Sequence, residues 1–208
     1  MRWHLSILLL NATLVASAQV AHQEHPPRSA GEYARVLEDP ARDEWQKPHE
    51  VVMALKLRTD EVIADIGAGT GYFSRRFARH AGKVLAVDID AGLLAIAAKD
   101  APANLATVLA LPDDPKLAQK SVDTVFFCDV LHHIANRPAY YAKLRSALKP
   151  GGRLVIVDFH KRPLPVGPPP DMKLSVEEVR QELKSAGFHE TDSFDMLSHQ
   201  YFLVFQSN

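Results

Sequence analysis

Five short apolar runs, separated by segments of helical spacing, restrict the folds open to this chain more than any other feature. The expected strands lie at about 61–66, 83–88 (KVLAVD), 104–109 (NLATVL), 123–128 (DTVFFC) and 153–159 (RLVIVDF). Four of the five carry continuous apolar runs, as strands covered on both faces require. Helical spacing predicts helices over 71–80, 91–99 and 138–149 between them. Such alternation means an α/β protein with a doubly wound, mostly parallel sheet. The last third changes rhythm. Ser175 and Glu178 stand as a capping box for a helix through about Ala186, stopped by Gly187. Two further strands, at about 188–195 and 200–206, are joined by a short connection and make an antiparallel pair at the sheet edge. Upstream, Pro40 and Pro48 interrupt a helical pattern and cut it into short helices.

The first strand runs into "ADIGAGTGYFSRRFARH", residues 64–80. Gly67, Gly69 and Gly71 therefore sit on a strand-to-helix turn, where glycine permits positive φ and lets a ligand approach the backbone. The dinucleotide fingerprint G-x-G-x-x-G seats a pyrophosphate on the helix N-terminus. Here the glycines alternate, so the third falls one place early and the dinucleotide pattern is not met. A tight turn that binds nothing remains the alternative for a lone glycine motif.

With Asp65 ahead of it, the stretch D-x-G-x-G-x-G resembles the first motif of class I S-adenosylmethionine-dependent methyltransferases. "VDTVFFCDVLHHI" joined to "LRSALKPGGRLVIVDF" downstream extends that resemblance over roughly residues 45–206. It implies a Rossmann-like seven-stranded sheet closed by a C-terminal antiparallel β-hairpin, with S-adenosyl-L-methionine as cofactor. It also implies a set of binding residues. Asp65 and the turn Gly67, Ala68, Gly69 and Gly71 would lie against the amino-acid end of the cofactor. Asp88 ends the second strand about 20 residues past the turn, where an acid accepts from ribose hydroxyls, and Ile89 offers an apolar edge to the adenine. Asp90 suits a helix cap better. Asp113, chosen over Asp114, would meet the adenine amino group, although either acid serves equally to start a turn before Pro115. Cys128 and Asp129 would lie beside the cofactor, mostly through backbone groups, and Gln46 would reach it from the N-terminal helices. Arg42 is placed there too by the resemblance, against an ordinary reading as solvated helix charge.

Some small-molecule O-methyltransferases of this fold use a histidine after the fourth strand with an acid at the end of the fifth. His132 and Asp158 occupy those places, and methylating a hydroxyl requires removal of its proton. His132 is the expected base and Asp158 its orienter. His133, one position on along a helix start, should point about 100° away and act on stability. No metal site is expected.

Composition removes other classes. The formal net charge is −1 and no Lys/Arg run stands out, so a nucleic-acid partner is not expected. The single cysteine, Cys128, excludes an internal disulfide, and its place in an apolar strand fits a core residue better than a nucleophile. No N/D-P-P-Y/F motif follows the fourth strand, which favours a small-molecule or lipid-like acceptor and O-methylation. The N-terminus, with Arg2, an apolar stretch from Leu5 to about Ala16 and then Ala16-Ser17-Ala18, has the pattern of a secretory signal peptide. The expected organisation is a signal over 1–18, a flexible lead-in over 19–32, and a methyltransferase domain over 33–208. That domain divides into a helical cap (33–60), a cofactor-binding core (61–160) and a Pro-rich loop, helix and hairpin (161–208). The product would be exported after cleavage near Ala18, without a membrane span. An exported cofactor-binding module that no longer transfers methyl groups is the alternative function.

Overall fold

The structure, a computed structural model, describes residues 29–207. The expected signal peptide lies outside the described residues.

Three short helices come first: α1 (Ala30–Leu37), α2 (Arg42–Gln46) and α3 (Pro48–Ala54). Helix α1 starts three residues before Tyr33, inside the stretch expected to be a lead-in. The cause is a reciprocal cap, in which the Ser29 hydroxyl accepts from the Glu32 amide and the Glu32 carboxylate accepts from the Ser29 amide. Strand β1 (Val62–Ile66) leads to α4 (Ser74–Phe77), followed by β2 (Lys83–Asp88), α5 (Ala91–Ala98), β3 (Leu105–Leu109) and β4 (Val122–Cys128). After a 3-10 turn at Leu131–His133 come α6 (Arg137–Ala147), β5 (Leu148–Phe159), α7 (Val176–Ser185), β6 (Phe188–Phe194) and β7 (Gln200–Ser207).

The sheet order is β3-β2-β1-β4-β5-β7-β6. Strands β1 to β5 are mutually parallel, while β7 runs antiparallel to both β5 and β6. The doubly wound sheet with a closing hairpin is therefore present. Two boundaries differ from expectation. Helix α4 is a single turn, shorter than the expected 71–80, and Gly71 just before it has φ +86°. Strand β5 starts at Leu148 because that residue pairs with Val122 across the "KPGG" corner, where Gly151 has φ +76°.

Alternate residues of each strand feed two apolar layers. Ala64, Phe127, Ile156 and Leu203 pack with Leu144 of α6 and Leu183 of α7. Ile63, Phe126, Val155 and Phe202 pack on the other face with Phe73, Phe77 and Val51. No helix among the described residues is long and apolar enough to cross a membrane. Because β7 is antiparallel, its first residues arrive at the same sheet edge as the carboxyl ends of β1, β2, β4 and β5. Ligands bind at that end of open α/β sheets.

Candidate active site

The glycine turn is built from backbone. Gly67, Gly69 and Gly71 have φ of +70°, +55° and +86°, a region that side chains disfavour by roughly 1–2 kcal/mol per residue. Space is equally restrictive, since a Cβ on Gly67 would lie 2.3 Å from a Val130 methyl and one on Gly69 2.9 Å from Leu37 Cδ1. The Gly67 and Ala68 amides both donate to the Val87 carbonyl, and the Gly69 amide donates to Asp88 Oδ2 at 2.7 Å. Asp88 Oδ1 accepts from the Asp90 amide at 2.9 Å, and Asp90 caps α5 as expected. Each Asp88 oxygen thus keeps a lone pair for a ligand hydroxyl. Ile89, 59% exposed, stands beside two further exposed apolar residues at the end of β3, Leu109 and Leu111.

Asp65 faces inward, not toward a ligand. It is buried, accepts from Ser74 Oγ at 2.6 Å, and burial pushes its carboxyl up to about 7. Its place is behind the turn, tying the start of α4 to β1. Asp113 is exposed, and its carbonyl accepts from Lys143 Nζ at 2.6 Å. Asp114 makes the turn across Pro115, accepting from the Lys116 amide at 2.8 Å.

The N-terminal helices close over the glycine turn. Thr70 Oγ1 donates to Glu38 and Tyr72 Oη to Asp43. Arg42 is not solvated charge. Its guanidinium lies 4.2 Å from the Tyr72 ring centroid and donates to Leu37 O at 2.7 Å and to Gln46 Oε1 at 2.8 Å.

At the end of β4 a polar knot joins distant parts of the chain. Gln46, fully buried, donates through Nε2 to Cys128 Sγ and to Gln200 Oε1, both at 2.9 Å. Gln200 Nε2 donates to Asp129 Oδ1 at 2.6 Å. Asp129 holds φ +59°, rare for a non-glycine residue, and its amide donates to Val157 O at 3.0 Å. Asp129 is thus held within the protein through both its side chain and its amide. Burial, with Asp158 nearby, pushes the Asp129 carboxyl up to about 6. Burial also pushes the Cys128 thiol well above its usual range, which suits a packed sulfur and not a nucleophile.

His132 Nδ1 lies 3.0 Å from both carboxylate oxygens of Asp158, with the two side chains 2% and 1% exposed. Burial works against a charged ring, but the hydrogen bond and charge of Asp158 outweigh it and raise the His132 pKa. Both contacts use Nδ1, so Asp158 does not engage His132 Nε2. The expected divergence of His133 is not observed. The two histidines share a 3-10 turn and their rings lie 4.1 Å apart. The exposed His133 therefore covers the His132 ring instead of pointing away from it.

Residues 64–156 match the family model described as "Methyltransferase domain". A solved S-adenosylmethionine-dependent methyltransferase from Aquifex aeolicus superposes with a TM-score of 0.80 at 21% identity, covering 88% of this chain and all of that one. The chain thus has the fold of these methyltransferases, with a methyltransferase-domain match over residues 64–156. A DhpI–SAH complex also superposes on the methyltransferase domain, with a TM-score of 0.70 at 21% identity over 86% of this chain and 91% of that one. The glycine turn with Asp88 offers a cradle that fits S-adenosylmethionine, the cofactor named for the Aquifex aeolicus structure. Among curated relatives, the biotin biosynthesis bifunctional protein of Cellvibrio japonicus is 36% identical over 94 residues, 45% of this chain and 19% of that protein. The demethylmenaquinone methyltransferase of Tropheryma whipplei is 33% identical over 107 residues, 50% of this chain and 44% of that enzyme. The chain thus spans less than half the length of these relatives.

Proposed function

We propose that the protein is an S-adenosylmethionine-dependent methyltransferase that O-methylates a small-molecule or lipid-like acceptor, with His132 as general base and Asp158 as its orienter. The observation that carries the base assignment is the buried 3.0 Å pairing of His132 Nδ1 with both Asp158 oxygens. That contact keeps the proton on Nδ1 and leaves the Nε2 lone pair to take the proton of an acceptor hydroxyl. When bound, the cofactor would be held by the glycine turn and Asp88 and would supply an electrophilic methyl group with its sulfonium sulfur as the leaving group. The protein's remaining task is alignment, with the glycine turn and Asp88 holding one reactant and the ends of β4 and β5 the other. A relative from Ruthia magnifica is a tRNA U34 carboxymethyltransferase. The net charge of −1 argues against a tRNA substrate for this chain.

Calorimetry tests the reading directly. S-adenosylhomocysteine should bind in the micromolar range, and binding of NAD in its place would overturn the proposal. We also propose that the enzyme is exported, on the strength of Arg2, the apolar stretch and Ala16-Ser17-Ala18. Mass spectrometry should find the mature chain beginning near Gln19, and an intact Met1 on cytosolic protein would end that proposal.

A further inference from the structure

Two polar groups beside the His132–Asp158 pair are left over once the fold is accounted for. Tyr201 is 4% exposed, and its hydroxyl is the buried side-chain N or O atom without a hydrogen-bond partner among the described residues. Buried hydroxyls are otherwise paired, so this one needs a reason. Its position supplies one. Tyr201 stands directly opposite Asp158 in the β5–β7 register, so both side chains project from the same face, and the charge of Asp158 acts on the Tyr201 hydroxyl. Burial and that carboxylate raise the Tyr201 pKa, which keeps the group a neutral donor.

Lys173 is the second. It comes from the end of the Pro-rich loop, is 2% exposed, and its ammonium has one hydrogen-bond acceptor among the described residues, Arg162 O at 2.9 Å. An ammonium has three donors. Lys173 Nζ also lies 5.6 Å from the Phe159 ring centroid and feels the charge of Asp158. The Phe159 ring is 5.6 Å from that of Trp45, which is in turn 6.2 Å from His199. Gly167 of the same loop packs so closely that a Cβ there would be 2.7 Å from the Phe159 ring. Asp158 thus acts on His132, Tyr201 and Lys173 alike, and Lys173 links that group to the rings of Phe159 and Trp45 at the end of β5.

We propose that Tyr201 Oη and Lys173 Nζ bind the oxygen of the acceptor as it loses its proton to His132, and that the acceptor hydroxyl is an acidic one on a conjugated ring, a phenol or enol. The assignment rests on the methyltransferase reading above. Its chemical basis is the strength of the base. Proton transfer from a phenol to an imidazole is uphill by roughly three to four powers of ten, a gap that two aimed donors can close. From an aliphatic hydroxyl, about as weak an acid as water, the gap is roughly nine. The proton ends on His132 Nε2 and the negative oxygen between Tyr201 and Lys173, so charge balances before the methyl group moves.

The test uses the full chain saturated with S-adenosylhomocysteine and titrated with para-nitrophenol, whose phenolate absorbs visible light, alongside para-nitroanisole, the same ring without the acidic proton. Bound para-nitrophenol should be phenolate, and Y201F and K173M should each weaken it at least about tenfold while para-nitroanisole and S-adenosylhomocysteine stay within a factor of about three. Y201F removes an unpaired hydroxyl and should melt no lower than wild type, so loss of fold would not account for its effect. If both variants bind para-nitrophenol like wild type, or lose para-nitroanisole equally, the assignment is overturned. Failure of the wild-type chain to bind S-adenosylhomocysteine would instead overturn the methyltransferase reading, and this assignment with it.

Discussion

The two halves of the site are made in different ways. The proposed cofactor half is one contiguous stretch, Gly67 to Gly71, plus Asp88, and its shape resides in backbone: three positive φ values and amides spent on Val87 and Asp88. The proposed acceptor half is assembled from side chains that the chain brings from five places: Gln46, Asp129 with His132, Asp158, Lys173, and Gln200 with Tyr201. A backbone-built site leaves a signature in spacing, because only glycine fits. A side-chain-built site leaves none, because each member is an ordinary residue until the sheet order places it beside the others.

The largest expected effect probes whether the halves are separable. His132→Ala should lower kcat by roughly 100-fold or more, about 2.7 kcal/mol of barrier, with S-adenosylhomocysteine affinity within a factor of about three. Asp158→Asn should reproduce the loss, since an amide does not stabilise the imidazolium that forms. It should also move the acid limb of the kcat/KM profile to lower pH, because the carboxylate is what holds the His132 pKa up. His133→Ala uncovers the His132 ring, and its effect on kcat should be smaller than that of His132→Ala. Full kcat in both histidine variants on the true acceptor would mean that positioning alone drives the reaction.

Each half also hides a carboxyl whose proton the fold favours. Asp65 is raised from 3.8 to about 7 and Asp129 from 3.8 to about 6, both chiefly by burial. A raised folded pKa makes the folded chain hold the proton longer, so the associated stability is complete below about pH 4 and is lost as pH rises through 7 and 6 respectively. His132, raised from 6.5, acts in the same direction at slightly higher pH. The melting temperature should therefore fall between about pH 5.5 and 8, Asp65 alone accounting for a change on the order of 2 kcal/mol, several degrees for a chain of this size. Asp65→Asn, which keeps an acceptor for Ser74, should flatten the profile. Asp129→Asn should flatten it too and lower it throughout, because an amide turned toward the Gln200 donor loses the 2.6 Å bond. A melting temperature independent of pH across this window would show that neither carboxyl is held neutral.

Legibility in the sequence follows the same division. The apolar runs state the strands because parallel strands covered on both faces have few polar positions to blur the signal, and their alternation with helices states a doubly wound sheet, while the strand order is seen only in the structure. The Ser175–Glu178 cap was readable for the same reason, being local. The pairing of His132 with Asp158 comes from the family resemblance and not from the residues themselves. Neither route finds Tyr201 or Lys173. Nothing in "HQYFLVF" distinguishes Tyr201 from an ordinary strand aromatic; its place follows from the antiparallel register that sets it opposite Asp158. Lys173 reads as a loop cation until the Pro-rich segment folds it inward. Asp65 fails differently: its spacing to the glycines is right, but its side chain points to Ser74.

The smallest effect separates backbone shape from side-chain space in the cofactor half. Gly69→Val and Asp88→Ala should each weaken S-adenosylhomocysteine at least tenfold, about 1.4 kcal/mol, the first by disturbing the turn and the second by removing the carboxylate that organises it. Two costs meet at Gly69: its φ of +55°, and the 2.9 Å approach of Leu37 Cδ1 to any added Cβ. Leu37→Ala makes room without altering φ, so Gly69→Ala combined with Leu37→Ala isolates the conformational cost. Sterics alone would let the double variant recover wild-type affinity. If the turn itself is what binds, the double variant should recover only part of it, the remaining deficit reflecting the roughly 1–2 kcal/mol that a side chain costs in left-handed backbone. Full recovery would mean that this half of the site, like the other, is governed by side-chain packing, and the contrast between the halves would fall.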